Sequence, residues 1–137
     1  MKKLILALIF SIPFAGLLAQ NIHRVDNLAQ GANDGSSWSD AFNDLQTALD
    51  NATQGDQIWL RTGIYIPENT DTITSVYTIA KPLSLYGGFA GDENALEDRP
   101  TDGSTPTILS GDILGDDNPS DNTENRTDNS RHVVYVD

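Results

Sequence analysis

The residues best suited to chemistry in this chain are the acids of one long polar segment. Asp112, Asp116, Asp117, Asp121 and Asp128 fall between residues 112 and 130, with Asn118 and Asn122 among them. Carboxylate and amide oxygens are the hard ligands that calcium takes, about six to eight at a time in flexible geometry. Asp112, Asp116, Asp117 and Asp121 are therefore the candidate metal ligands, and calcium is the candidate cofactor. The Asp-x-Asp-x-Asp-Gly order of an EF-hand loop is missing, and a solvated acidic loop has the same composition. Asp26 with Asn33 and Asp34 makes a second, smaller group of oxygens, although Asn33-Asp34-Gly35 is also ordinary turn chemistry.

Other chemistries find no constellation. His23 and His132 are the two histidines, and neither has a second ligand at zinc-binding spacing. Ser110 is not in a Gly-x-Ser-x-Gly elbow. Gly87-Gly88-Phe89-Ala90-Gly91 lacks the Lys-Ser/Thr of a phosphate loop. Arg61, Lys81, Arg99, Arg126 and Arg131 are each the lone base of their neighbourhood, and no Lys–Arg–Asp constellation can be assembled from their spacing. No catalytic residue is assigned. Trp59, Tyr65, Tyr77, Tyr86 and Tyr135 could stack on sugar rings if exposed, but such residues more often pack on strand faces.

Composition narrows the partners. The formal net charge is −12, and two units more negative once Lys2 and Lys3 are removed. That field repels phosphate backbones and anionic lipid, so nucleic acid is excluded as a partner. Lys2-Lys3, the apolar run Leu4–Ile12, Pro13 and Leu17-Leu18-Ala19 read as a secretory signal peptide over residues 1–19. The run is too short for a stable transmembrane span. The protein is expected to be exported, to the extracellular space or the outer cell surface. The chain has no Cys, which removes disulfides, thiolate sites and a lipid-anchored cysteine together.

The elements that must position these residues begin after the leader. Residues 20–57 hold a short strand at Ile22–Val25, a turn-rich loop, and an apolar stripe of Trp38, Ala41, Phe42, Leu45, Ala48, Leu49 and Ala52. That stripe predicts an amphipathic helix, capped by Ser37 or Ser39 and stopped at Gly55. From 58 to 137, short apolar runs start at Ile58, Leu83, Ile108 and Val133, 25 residues apart each time. A constant step of this size predicts a solenoid with one rung per step. Gly63 marks a bend inside the first run.

The stretch Asp34-Gly35-Ser36-Ser37-Trp38, Ala41-Phe42, Leu45-Gln46, Gly55-Asp56, Ile58-Trp59-Leu60, Gly63 and Tyr65 resembles the N-terminal region of secreted bacterial right-handed parallel β-helix proteins. So do Leu85-Tyr86-Gly87-Gly88-Phe89, Thr107-Ile108-Leu109-Ser110-Gly111-Asp112 and His132-Val133-Val134. These proteins have the pectin-lyase-like fold, and many are polymorphic outer-membrane or adhesin-like surface proteins. The resemblance implies an all-β, right-handed parallel β-helix of which only the first coils are present, with the helix as an N-terminal cap. It implies a structural or adhesive role, contact with polysaccharide or cell-surface glycans, and the remainder of a longer β-helix chain beyond residue 137. The alternative it leaves open is the N-terminal part of a polysaccharide lyase or glycosidase whose active site lies past Asp137.

Overall fold

The computed structural model describes residues 20–68, 72–121 and 123–137; the expected signal peptide, residues 1–19, lies outside them. Among the described residues, seven short strands and one helix follow in the order β1 (Ile22–Val25), α1 (Leu45–Asn51), β2 (Gln57–Arg61), β3 (Gly63–Tyr65), β4 (Tyr77–Ile79), β5 (Ser84–Phe89), β6 (Thr107–Leu109) and β7 (Val134–Val136). Single 3-10 turns occupy Thr72–Thr74 and Leu96–Asp98.

The strands form three small sheets, ordered β1-β2-β5, β3-β6 and β4-β7, and every pairing is parallel. This overturns the solenoid expectation. Ile58 of β2 does pair with Leu85 of β5. But Ile108 of β6 pairs with Ile64 of β3, and Val134 of β7 with Tyr77 of β4. The four equally spaced runs thus lie in three sheets, and the constant step is not a structural repeat. The fold is a small mixed α/β domain whose sheets are not curled or closed into coils. The right-handed β-helix, its likeness to pectin-lyase-like surface proteins, and the structural, adhesive or lyase roles that followed from it are set aside with it.

The expected capping helix is corrected as well. Only the second half of the apolar stripe is helical. Phe42 donates its N–H to Arg24 O at 2.9 Å and accepts from Asp26 N at 2.9 Å. Its backbone is thus spent on a bridge to β1, and a residue so paired cannot also enter a helical ladder. The helix starts where that bridge ends. Asp44, not Ser37 or Ser39, is its N-cap, accepting from Thr47 N at 2.7 Å and Thr47 Oγ1 at 2.8 Å. It packs on β1 and β4 as part of the core and covers no coil end.

The main core joins α1 to one face of the sheets. Val25, Phe42, Leu45, Ala48, Leu49, Ile58, Leu60, Tyr65 and Tyr77 are buried together. Each large apolar member contributes about 1.5–3 kcal/mol when fully buried. Strand faces alternate, so Trp59 points the other way from Ile58 and Leu60, yet it is also buried. A second cluster covers it. Trp59 stacks on Phe89 with centroids 4.6 Å apart, and Trp38 tilts against Phe89 at 5.4 Å. The guanidinium of Arg24 lies over Trp38 and Trp59. β2 is therefore sealed on both faces.

Two buried acids tie loops to this frame. Asp56 accepts from Thr53 N, Thr53 Oγ1, Asn21 N and His23 Nε2, at 2.8–3.1 Å. Glu93 accepts from the amides of Ala90, Gly91 and Asp92 at 2.6–3.1 Å, and its carbonyl accepts from Trp38 Nε1 at 2.9 Å. Gly91 has a left-handed φ of 105° and lies against Arg61, where a β-carbon would collide with the guanidinium.

Candidate metal centre

The acidic segment leaves β6 at Ser110 and returns to the body at Ser130. Ser130 N donates to Gly111 O at 2.8 Å, which closes the base of the loop. Ser130 Oγ also donates to the carbonyl of Ser75, fixing that base to the segment before β4. Within the loop the backbone turns through left-handed conformations at Gly115 (φ 70°) and Asn125 (φ 59°). Asn is one of the few side-chain-bearing residues that adopt this geometry readily. Asn125 Nδ2 then donates to Asp116 O at 2.9 Å and holds the two halves together.

That folding brings three carboxylates face to face. Asp112, Asp116 and Asp128 each place one oxygen within 4.8 Å of the other two. Asp128 is buried, Asp112 half-buried and Asp116 exposed. Two oxygens bound to one calcium at about 2.3–2.6 Å can stand up to about 5 Å apart, so one ion can reach all three. The trio can therefore coordinate a divalent cation such as calcium.

The other contacts of these carboxylates orient them. Asp112 Oδ1 accepts from Gly115 N at 2.7 Å and Asp116 N at 3.1 Å, and its Oδ2 accepts from Asp117 N at 3.2 Å. Asp128 Oδ2 accepts from Leu114 N at 2.9 Å. Asp116 has its acidity weakened: desolvation comes first, followed by the charges of Asp128, Asp112 and Asp117, and together they raise its pKa. A group held above its usual pKa by neighbouring anions is one that a cation would relieve.

Asp117 and Asp121 lie outside the trio. Asp117 Oδ2 pairs with Arg126 at 3.3 Å and accepts from Asn129 Nδ2 at 3.0 Å. Its Oδ1, and Oδ1 of Asn129, are buried without a partner. Asp121 accepts from Thr123 N and Oγ1 at 2.9 and 2.7 Å in a local turn, and those bonds lower its pKa. Asn118 accepts from Ser120 N and donates to Glu124. Asn122 lies outside the described residues. Asn129 was not singled out from the sequence; its place beside Asp128 was the available signal.

The remaining sequence candidates have structural partners. Asp26 pairs with Arg61 at 2.7 Å and accepts from Leu28 N. Asn33 accepts from Asn43 N, and Asp34 from Ser36 N, which is turn chemistry. His23 serves Asp56. Trp59, Tyr65 and Tyr77 are buried, Tyr86 lies under Arg99, and Tyr135 is exposed. Among the described residues no helix is long and apolar enough to cross a membrane. No protein family, no curated protein and no solved structure matches the chain.

Proposed function

We propose that this domain is a calcium-binding module, in which one ion held by Asp112, Asp116 and Asp128 orders the loop between β6 and β7. The observation that carries this reading is the convergence of three carboxylate oxygens within 4.8 Å. Water would complete the remaining coordination. The module works after export, a reading supported by the leader-like residues 1–19. Extracellular calcium modules need dissociation constants of only about 10⁻⁴–10⁻³ M, within reach of a partly exposed trio.

Thermal unfolding in calcium and in chelator tests the reading. At about one hundred times the dissociation constant, calcium should raise stability by about 2.7 kcal/mol, and thus the melting midpoint by several degrees. Asp128→Asn should remove that rise. Equal midpoints in calcium and chelator would overturn the assignment.

A further inference from the structure

β3 pairs with β6 and β4 with β7, and the opposite edges of β3 and β4 are fastened by side chains from earlier in the chain. Ile64 O of β3 accepts from Asn27 Nδ2 at 3.2 Å. Thr78 of β4 donates to Gln46 Oε1 at 2.8 Å and accepts from Gln46 Nε2 at 3.2 Å. Beside these fastenings opens a hollow of about 240 Å³, walled on its apolar part by Leu45, Ile64, Ile66 and the ring of Tyr65. It is smaller than the roughly 300–1,000 Å³ that drug-sized ligands occupy, so it suits a small group. Its polar groups are of one kind. Asn27 and Asn43 donate their Nδ2 to backbone carbonyls, so each has an acceptor oxygen left to offer. Asp44 uses Oδ2 to cap α1. Glu68 stands exposed at the mouth residues, and no Lys, Arg or His lines the hollow. The Tyr65 hydroxyl donates to Val25 O and Arg61 O. Tyr77 lines the hollow although only 2 % exposed, and its hydroxyl has no hydrogen-bond partner among the described residues. Burial first, then Asp44, Tyr65 and Glu68, raise the pKa of that phenol, so both carboxylates act on the same hydroxyl.

We propose that this hollow binds an alkylammonium group, with the charge held by Asp44 and Glu68 and the methylenes against Leu45, Ile64 and Ile66. A lining that offers acceptors and two negative charges, with no cation of its own, calls for a ligand that is positive and brings donors. An ammonium has three N–H donors and no acceptor. Tyr77 is the one lining group whose hydroxyl is left to take one of those donors, and a cation near the faces of Tyr65 and Tyr77 is further favoured by their rings. The apolar wall selects against a bare metal ion, which would leave Leu45, Ile64 and Ile66 facing water. An alkyl stem covers them, as the methylenes of lysine do when they lie along apolar surface beneath a solvated charge. The site is separate from the acidic loop and shares no residue with it.

NMR titration of the protein with n-butylammonium, in chelator and about 0.15 M potassium chloride, should give saturable shifts at Ile64, Ile66 and Tyr77. Chelator keeps calcium at the acidic loop out of the readout. Neutral n-butanol should not saturate over the same range. Asp44→Asn removes one charge and keeps the helix cap, since Asn caps as well as Asp; Glu68→Gln removes the other charge. Each should weaken binding by about tenfold, with an unchanged circular dichroism spectrum. Nα-acetyl-lysine methylamide separates the two sources of the group. Binding comparable to that of n-butylammonium assigns the hollow to a lysine side chain of a polypeptide, and binding of n-butylammonium alone assigns it to a free amine. Shifts that do not saturate, equal binding of n-butanol, or undiminished binding in either carboxylate variant would each overturn the proposal. If Asp44→Asn does not fold, Glu68→Gln decides alone.

Discussion

Asp56 and Asp116 are the same side chain in opposite surroundings. Asp56 is 2 % exposed and receives four donors. Burial opposes its charge, but the bonds from Thr53, Asn21 and His23 prevail, and its carboxyl sits well below the usual carboxylate range. Asp116 is exposed, yet desolvation and three neighbouring acids push it the other way. Burial alone therefore does not decide what an acid does here. An acid surrounded by donors fastens the fold, whereas an acid surrounded by acids is one that can take up a cation.

Removing the fastening should produce the largest effect. Asp56→Ala strands the amides of Thr53 and Asn21 and frees the start of β1; a loss of about 3 kcal/mol or more is expected in chemical unfolding. Glu93→Ala, which releases the 90–92 amides, should cost about half as much by the same measurement. A fall no greater than that of an exposed substitution in either variant would erase the distinction between the two kinds of acid.

The comparison sharpens with pH. Asp56 and Glu93 have lowered pKa values, so the stability they give is present above the unfolded carboxylate range and is lost as pH falls through their folded values. Asp116 has a raised pKa, so its contribution runs in reverse: it is best below the unfolded value and declines as pH rises through the folded one. In chelator, falling pH should therefore first increase hydrogen-exchange protection, corrected for intrinsic rate, at Leu114 and Gly115, and loosen the body only once it drops below the ordinary carboxylate range. The smallest effect expected is that of Asp116→Asn in chelator, a midpoint equal to or slightly above that of the parent. A clear fall there would show that Asp116 already has a stabilising partner.

The same contrast shows what could be read in the sequence. The Ile58-Trp59-Leu60 run announced a strand, and the acids of 112–130 announced oxygen ligands, because both signals are local. The start of the helix was hidden because the fate of Phe42 depends on Arg24, far away in the chain. Sheet membership was hidden because the pairing of β6 with β3 is set by intervening loops, not by its own residues. Evenly spaced apolar runs carry no information about which strand each will meet. Likewise the choice of Asp128 over Asp117 and Asp121 follows from turns at Gly115 and Asn125 and from the Arg126 contact, none of which composition reveals.

The gathering of Trp38 and Trp59 around Phe89 has a practical corollary. Both indoles of the chain report on one patch over β2 and β5. Intrinsic emission will follow unfolding of that patch faithfully and remain dark to events confined to the acidic loop. A spectral change on adding calcium would mean that the ion's influence travels beyond the loop to the aromatic patch on these strands.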